Sequence, residues 1–200
     1  MPTVESYLIN DRYLSSIAYS LLKEAKSEEP GTIFKKTIPA MLFFCLTLES
    51  KLNTYGKILF SKDYKKFRES SNLKDKVRWF MRRLGVYENG VETDEEKVFF
   101  EEFLANIDAM VDFRNYVAHS KNIEYVESRE LGYLERISDR FISKPKMEDD
   151  FMTLYSVETC EVFSETLSSF EQIWYLKAPQ LFPDMDYKKL YGIPHSKSGS

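Results

Sequence analysis

A chain of 200 residues, 43% hydrophobic and 30% charged, with 7 Gly and 7 Pro, has the composition of a globular protein and the length to bury about 70% of its unfolded surface. Its net charge of −4 gives no overall attraction to nucleic acid or to an anionic membrane. The longest apolar run, residues 41–48, is broken by Thr47 and is too short to span a bilayer, so no membrane partner is expected.

Residues 4–26 carry apolar side chains at 7, 8, 14, 17, 18, 21, 22 and 25, a helical spacing. The opening MPTVESYLIND lacks the basic and apolar stretches of a secretory leader, which predicts a cytoplasmic protein. Pro30-Gly31 ends the first helix. Residues 33–60 form a second, more apolar helix, whose stripe runs Ile38, Met41, Leu42, Cys45 and then Glu49, Leu52, Asn53. Pro39 either kinks it or marks its true start. Cys45 and Cys160 both fall on apolar stripes, which reads as reduced core thiols rather than a disulfide or a nucleophile.

Residues 61–72 read as a basic loop. Residues 73–84 predict a short helix, with Asn72 as N-cap and Gly85 just past its end. Lys74, Arg78 and Arg82 lie four apart on one of its faces. Thr93 and Glu96 form a capping box opening a helix that runs to Ala118. Residues 126–141 are expected to be helical and 142–155 irregular or extended. Ser156 caps a last helix with Cys160, Phe163, Leu167, Phe170 and Trp174 on one face, stopped before Pro179. No segment alternates as a strand does and no repeat is present. The expected fold is an all-α bundle of five to six helices. It is read as a single domain over residues 1–178, with an extended, partly disordered tail over 179–200.

Charge is unevenly spread. Residues 57–83 hold ten Lys or Arg against three acids, a net of +7, and residues 86–112 hold nine acids against one Lys, a net of −8. Either the two stretches neutralise each other in the fold, or the first is a patch for a polyanion.

The eight residues FRNYVAHS, 113–120, pose a sharper question. On a helical wheel Phe100, Phe103, Leu104, Ile107, Val111 and Ala118 make one apolar stripe, and Arg114 falls in its middle. Asp108, Asp112, Asn115 and His119 share another face. A buried guanidinium without a partner is too costly to survive. Glu49, on the core stripe of the second helix, is its natural partner. Taken alone, His119 reads as a cap whose partial positive charge suits a helix C-terminus. In a straight helix Arg114 and His119 diverge by about 140°. They serve one site only if the helix ends near His119 or a second subunit completes the cleft.

Residues 114–119, Arg-Asn-Tyr-Val-Ala-His, resemble the Arg-Asn-x-x-x-His motif of the HEPN superfamily. LESKLNTYGKILF followed by NLKDKVRWFMRRLG resembles the helix pair before that motif in bacterial HEPN-like proteins, with Glu49, Asn53, Leu73 and Lys76 at matching places. The resemblance implies an up-and-down helical bundle that dimerises, with Arg and His of both subunits lining one cleft. Many such proteins are metal-independent endoribonucleases of toxin–antitoxin, phage-defence and CRISPR systems, while others are non-catalytic binding or signalling modules. It therefore implies an RNA substrate, a homodimer, an antitoxin or regulatory protein as a further partner, and no cofactor or metal. One sub-group carries a Tyr two residues after the His, where this chain has Lys121.

RNA supplies its own nucleophile, the 2′-hydroxyl. His119, with an ordinary pKa near 6.5, is the candidate general acid or base. Arg114 offers a planar fork for phosphate oxygens. Asn115 either orients the His ring or touches the phosphate, and Glu49 positions Arg114. Lys74, Arg78 and Arg82 are the candidate RNA-binding row. Two function classes remain open: an endoribonuclease, and a non-catalytic dimer that senses RNA or binds protein.

Overall fold

The computed structural model describes residues 11–29, 32–69, 73–86, 94–118 and 155–185, which are predominantly helical with no strand among them. In chain order come α1 (Asp11–Ala25), α2 (Phe34–Phe60), a 3-10 turn (Ser61–Asp63), α3 (Tyr64–Glu69), α4 (Leu73–Arg83), α5 (Asp94–Ala118) and α6 (Val157–Leu181). The architecture is all-α, as the periodicity predicts.

α2 packs against every other helix among the described residues. Its sequence is apolar over most of its circumference, the property of a helix with neighbours on several sides. Met41, Phe44, Cys45, Leu48 and Leu52 are fully buried. Tyr55 of α2 stacks on Trp174 of α6 at 4.4 Å, and Phe80 of α4 closes the cluster at 5.7 Å from the same indole. Such ring pairs add about 0.5–1.5 kcal/mol each beyond their buried area.

α1 and α6 run antiparallel. Tyr19 meets Ser168 through their hydroxyls at 3.3 Å, and Lys26 pairs with Glu161 at 2.6 Å. Near the start of α1, Lys51 of α2 is buried between Asp11 of α1 at 2.8 Å and Glu171 of α6 at 2.5 Å. One ammonium thus ties three helices. Burial alone would pull the Lys51 pKa down. The hydrogen bonds from its ammonium to Asp11 and Glu171 outweigh that and hold it above the ordinary value.

Residues 61–69, expected as loop, are helical instead. Phe67 of α3 is fully buried and stacks on Phe60 at 4.3 Å. Gly56 makes room for it, since a Cβ there would stand 2.3 Å from the Phe67 ring. α2 runs through Pro39 and begins at Phe34. Lys35, whose carbonyl the proline leaves without its helical donor, is exposed to water. α6 likewise continues through Pro179 to Leu181 rather than stopping before it, which moves the start of the tail beyond 179. Ala178 is fully buried and accepts the Phe182 N–H at 2.9 Å, so packing carries the last turn past the proline.

Two expected terminators are present. Gly85 adopts φ +73°, the left-handed conformation that ends α4. Ser156 accepts from the Thr159 N–H at 3.2 Å at the start of α6. The predicted helix over 126–141, the Asn72 cap, the Thr93 capping box, most of 142–155 and His119 lie outside the described residues.

Candidate functional site

Two polar residues face each other from apolar stripes. Glu49 lies on the core side of α2, and Arg114 occupies the position on α5 that its apolar period assigns to a hydrophobe. Arg114 Nη2 donates to Glu49 Oε2 at 3.0 Å. Its Nη1 donates to Asn115 Oδ1 at 2.9 Å. A guanidinium only donates, so the Asn115 atom it meets is the carbonyl oxygen, and the amide N–H2 is the part left to donate elsewhere. Arg114 is not sealed in the core. The side chains of Arg114 and Glu49 keep 31% and 30% of their surface exposed.

The opening beside them is a cavity of about 460 Å³ between α2, α4 and α5. Glu49 lines it from α2, Lys74 and Lys76 from α4, and Asp112, Arg114 and Asn115 from α5. Leu73 and Val111 add two apolar side chains, so the wall sets three cations, two carboxylates and one amide beside an apolar minority. Ligand pockets for drug-like molecules are mostly apolar, whereas this wall suits a small, highly polar group such as a phosphate.

α4 and α5 meet through matched charges. Lys74 Nζ pairs with Asp112 Oδ2 at 2.9 Å and Arg78 Nη2 with Asp108 Oδ2 at 2.6 Å. On each helix the two members are four residues apart, and the order reverses between helices, so the elements lie antiparallel. Part of the +7 of residues 57–83 is thereby met by part of the −8 of residues 86–112. Arg82, the third of the predicted RNA-binding row, is exposed one turn further along α4.

The sequence marks Lys76, Asp108 and Asp112 by position alone, and the structure gives each of them a partner in this region. Lys76 is buried on the inner side of α4 and donates to the Arg68 carbonyl at 2.8 Å, joining the end of α3 to the cavity wall. Asp108 and Asp112 are the counter-ions of the α4 row. Their signal was available, as two acids four apart on α5 matching two bases four apart on α4. The wheel also understated the buried face of α5, since Ala109, Met110 and Phe113 are as buried as the predicted stripe.

Near the cavity, Cys45 Sγ donates to the Met110 carbonyl at 3.2 Å. Burial pushes the Cys45 thiol well above its ordinary pKa, and the Arg114 charge offsets that only in part. Burial likewise pushes Cys160 up to about 12. Thiols in this state are poor nucleophiles. Among the described residues no three His, Cys, Asp or Glu side chains gather as metal ligands would, and no helix is long and apolar enough to cross a membrane. No family model, curated protein or solved structure matches the chain.

Proposed function

We propose that this protein is a metal-independent endoribonuclease of the HEPN type, cutting RNA by attack of the 2′-hydroxyl at a site completed by a second copy of the chain. The observation that carries this reading is the Glu49–Arg114–Asn115 relay at the rim of a polar cavity. It stands in the last turns of α5, which ends at Ala118, so His119 follows it directly in the chain.

The chemistry needs few groups. The 2′-hydroxyl must lose a proton, the leaving 5′-oxygen must gain one, and the charge on the phosphorane must be met. His119 is the group with a pKa suited to moving the proton. Arg114, with Glu49 and Asn115 holding one nitrogen each at 3.0 and 2.9 Å, is oriented in advance to donate its remaining N–H groups to phosphate oxygens, the arrangement that stabilises charge at least reorganisation. Asn115 has amide donors for the phosphate or the imidazole. A homodimer would bring two Arg114–His119 sets to one cleft and supply both a base and an acid, and an antitoxin or regulatory protein would act by covering it.

The alternative is a non-catalytic dimer that senses RNA or binds a protein. Its support is that Arg114, Lys74 and Arg78 each already hold an acidic side chain, as groups kept for structure do. Incubating the purified protein with labelled RNA in EDTA, beside His119→Ala, separates the two. Cleavage by the wild type and its loss in the variant support the enzyme; intact RNA in both supports the binding module.

A further inference from the structure

The two α4–α5 ion pairs divide the basic stretch in two. Lys74 and Arg78 face the acids of α5. Lys62, Lys65, Lys66 and Arg68, on the Ser61–Asp63 turn and α3, are exposed and form no ion pair with another described residue. Lys62, Lys65 and Lys66 follow one another at i, i+3 and i+4 and are exposed, while Phe67 beside them is buried. Lys66 lies over the ring of Trp79 on α4, 5.8 Å from its centroid, which holds it against the body of the protein. The end of α3 adjoins the cavity, because the Arg68 carbonyl accepts from Lys76, a residue of the cavity wall.

We infer that this lysine face, Lys62, Lys65 and Lys66 with Arg68, is the surface along which the sugar–phosphate backbone of a single-stranded RNA lies on its way to the cavity at Arg114. The inference rests on the ribonuclease reading and gives it a substrate path. Exposed ammonium groups that release counterions from a polyanion supply affinity without sequence preference, and a run beside a site holds the strand while one phosphate enters it. A membrane is the less suitable partner. Basic surfaces that bind bilayers add an apolar face to insert, and among the described residues none of the exposed large hydrophobics lies between 57 and 86.

The test uses the full chain and a fluorescent, uncleavable 2′-O-methyl oligonucleotide of about 20 nucleotides, a length able to cover a site and its flank. Anisotropy titrations across a salt series compare the wild type with Lys62→Gln/Lys65→Gln/Lys66→Gln. Loss of three phosphate contacts predicts binding weakened on the order of 100-fold in 0.1 M salt and a salt slope shallower by about 2. A dinucleotide substrate is too short to reach the face, so the triple variant should cleave it at the wild-type rate. Unchanged oligonucleotide affinity in the triple variant would overturn the path while leaving the ribonuclease reading intact. A wild type that binds no RNA would overturn both. Lysine-dependent binding to phosphatidylserine vesicles, with none to RNA, would assign the face to a membrane instead.

Discussion

Arg114 of α5 and Glu49 of α2, 65 residues apart in sequence, meet at 3.0 Å. Each side chain is about one-third exposed, and at that exposure an ion pair contributes at most about 1 kcal/mol. The consequence of the pair is orientation more than stability. Glu49→Ala should therefore leave thermal stability nearly unchanged yet slow RNA cleavage by on the order of 10²-fold, because a misaimed guanidinium loses its geometry at the phosphorane. Arg114→Ala should cost roughly 10²–10³, and Arg114→Lys should restore little, since an ammonium has no fork. Rates measured on variants first shown to be folded check this; a fully active Glu49→Ala would remove the carboxylate from the account.

Lys51 predicts the opposite balance, a large effect on stability. It is buried between Asp11 and Glu171, and removing it strands the buried Asp11 carboxylate. Lys51→Met should destabilise by about 3 kcal/mol or more in urea unfolding. Because the folded pKa is raised above the ordinary 10.5, the contribution is fully present below that value and is lost as the pH climbs through the folded pKa. The difference in stability between wild type and variant should hold constant from pH 7 to pH 9 and shrink above about pH 10.5. A difference independent of pH into that range would show that the ammonium charge is not what stabilises the triad.

Gly56 tests why residues 64–69 fold at all. Alanine is the better helix former by about 1 kcal/mol, but its Cβ would sit 2.3 Å from the ring of Phe67. That ring is stacked on Phe60 and buried, so it has nowhere to retreat. Overpacking of this kind costs about 1–3 kcal/mol, so Gly56→Ala should lower stability despite its helix propensity. A stabilised Gly56→Ala would mean that α3 is free to move away from α2.

What the sequence made legible follows from what each signal measures. The run from Asp94 to Ala118 has a helical period long enough to read directly. Ser156 and Gly85 mark ends through local backbone chemistry. The Glu49–Arg114 pair was legible because two polar residues on apolar stripes must satisfy each other. α3 was not, because Tyr64 and Phe67 are the only apolar residues within 61–69, and what stabilises the segment is a gap at Gly56 supplied by another helix. The continuation of α6 past Pro179 likewise depends on Ala178 being buried. Within the basic stretch, the charge count was plain, but which lysines meet acids and which face water is decided by how α4 lies on α5.

That arrangement makes its own prediction. The Arg78–Asp108 and Lys74–Asp112 side chains are between 25% and 35% exposed, so a double-mutant cycle on Arg78→Ala and Asp108→Ala should give a coupling below about 1 kcal/mol, shrinking as salt is raised. A coupling above about 2 kcal/mol that ignores salt would show the pair to be desolvated and structural.

If RNA is cut by its own 2′-hydroxyl at Arg114 and His119, the ends of the products record it. Wild-type protein in EDTA, given a defined RNA and its all-deoxy counterpart, should yield RNA fragments ending in 2′,3′-cyclic phosphate by mass spectrometry and leave the DNA intact. His119→Ala should slow the reaction roughly 10²–10⁴-fold. Fragments bearing 3′-hydroxyl and 5′-phosphate ends, cleavage abolished by EDTA, or full activity in a folded His119→Ala protein would contradict it.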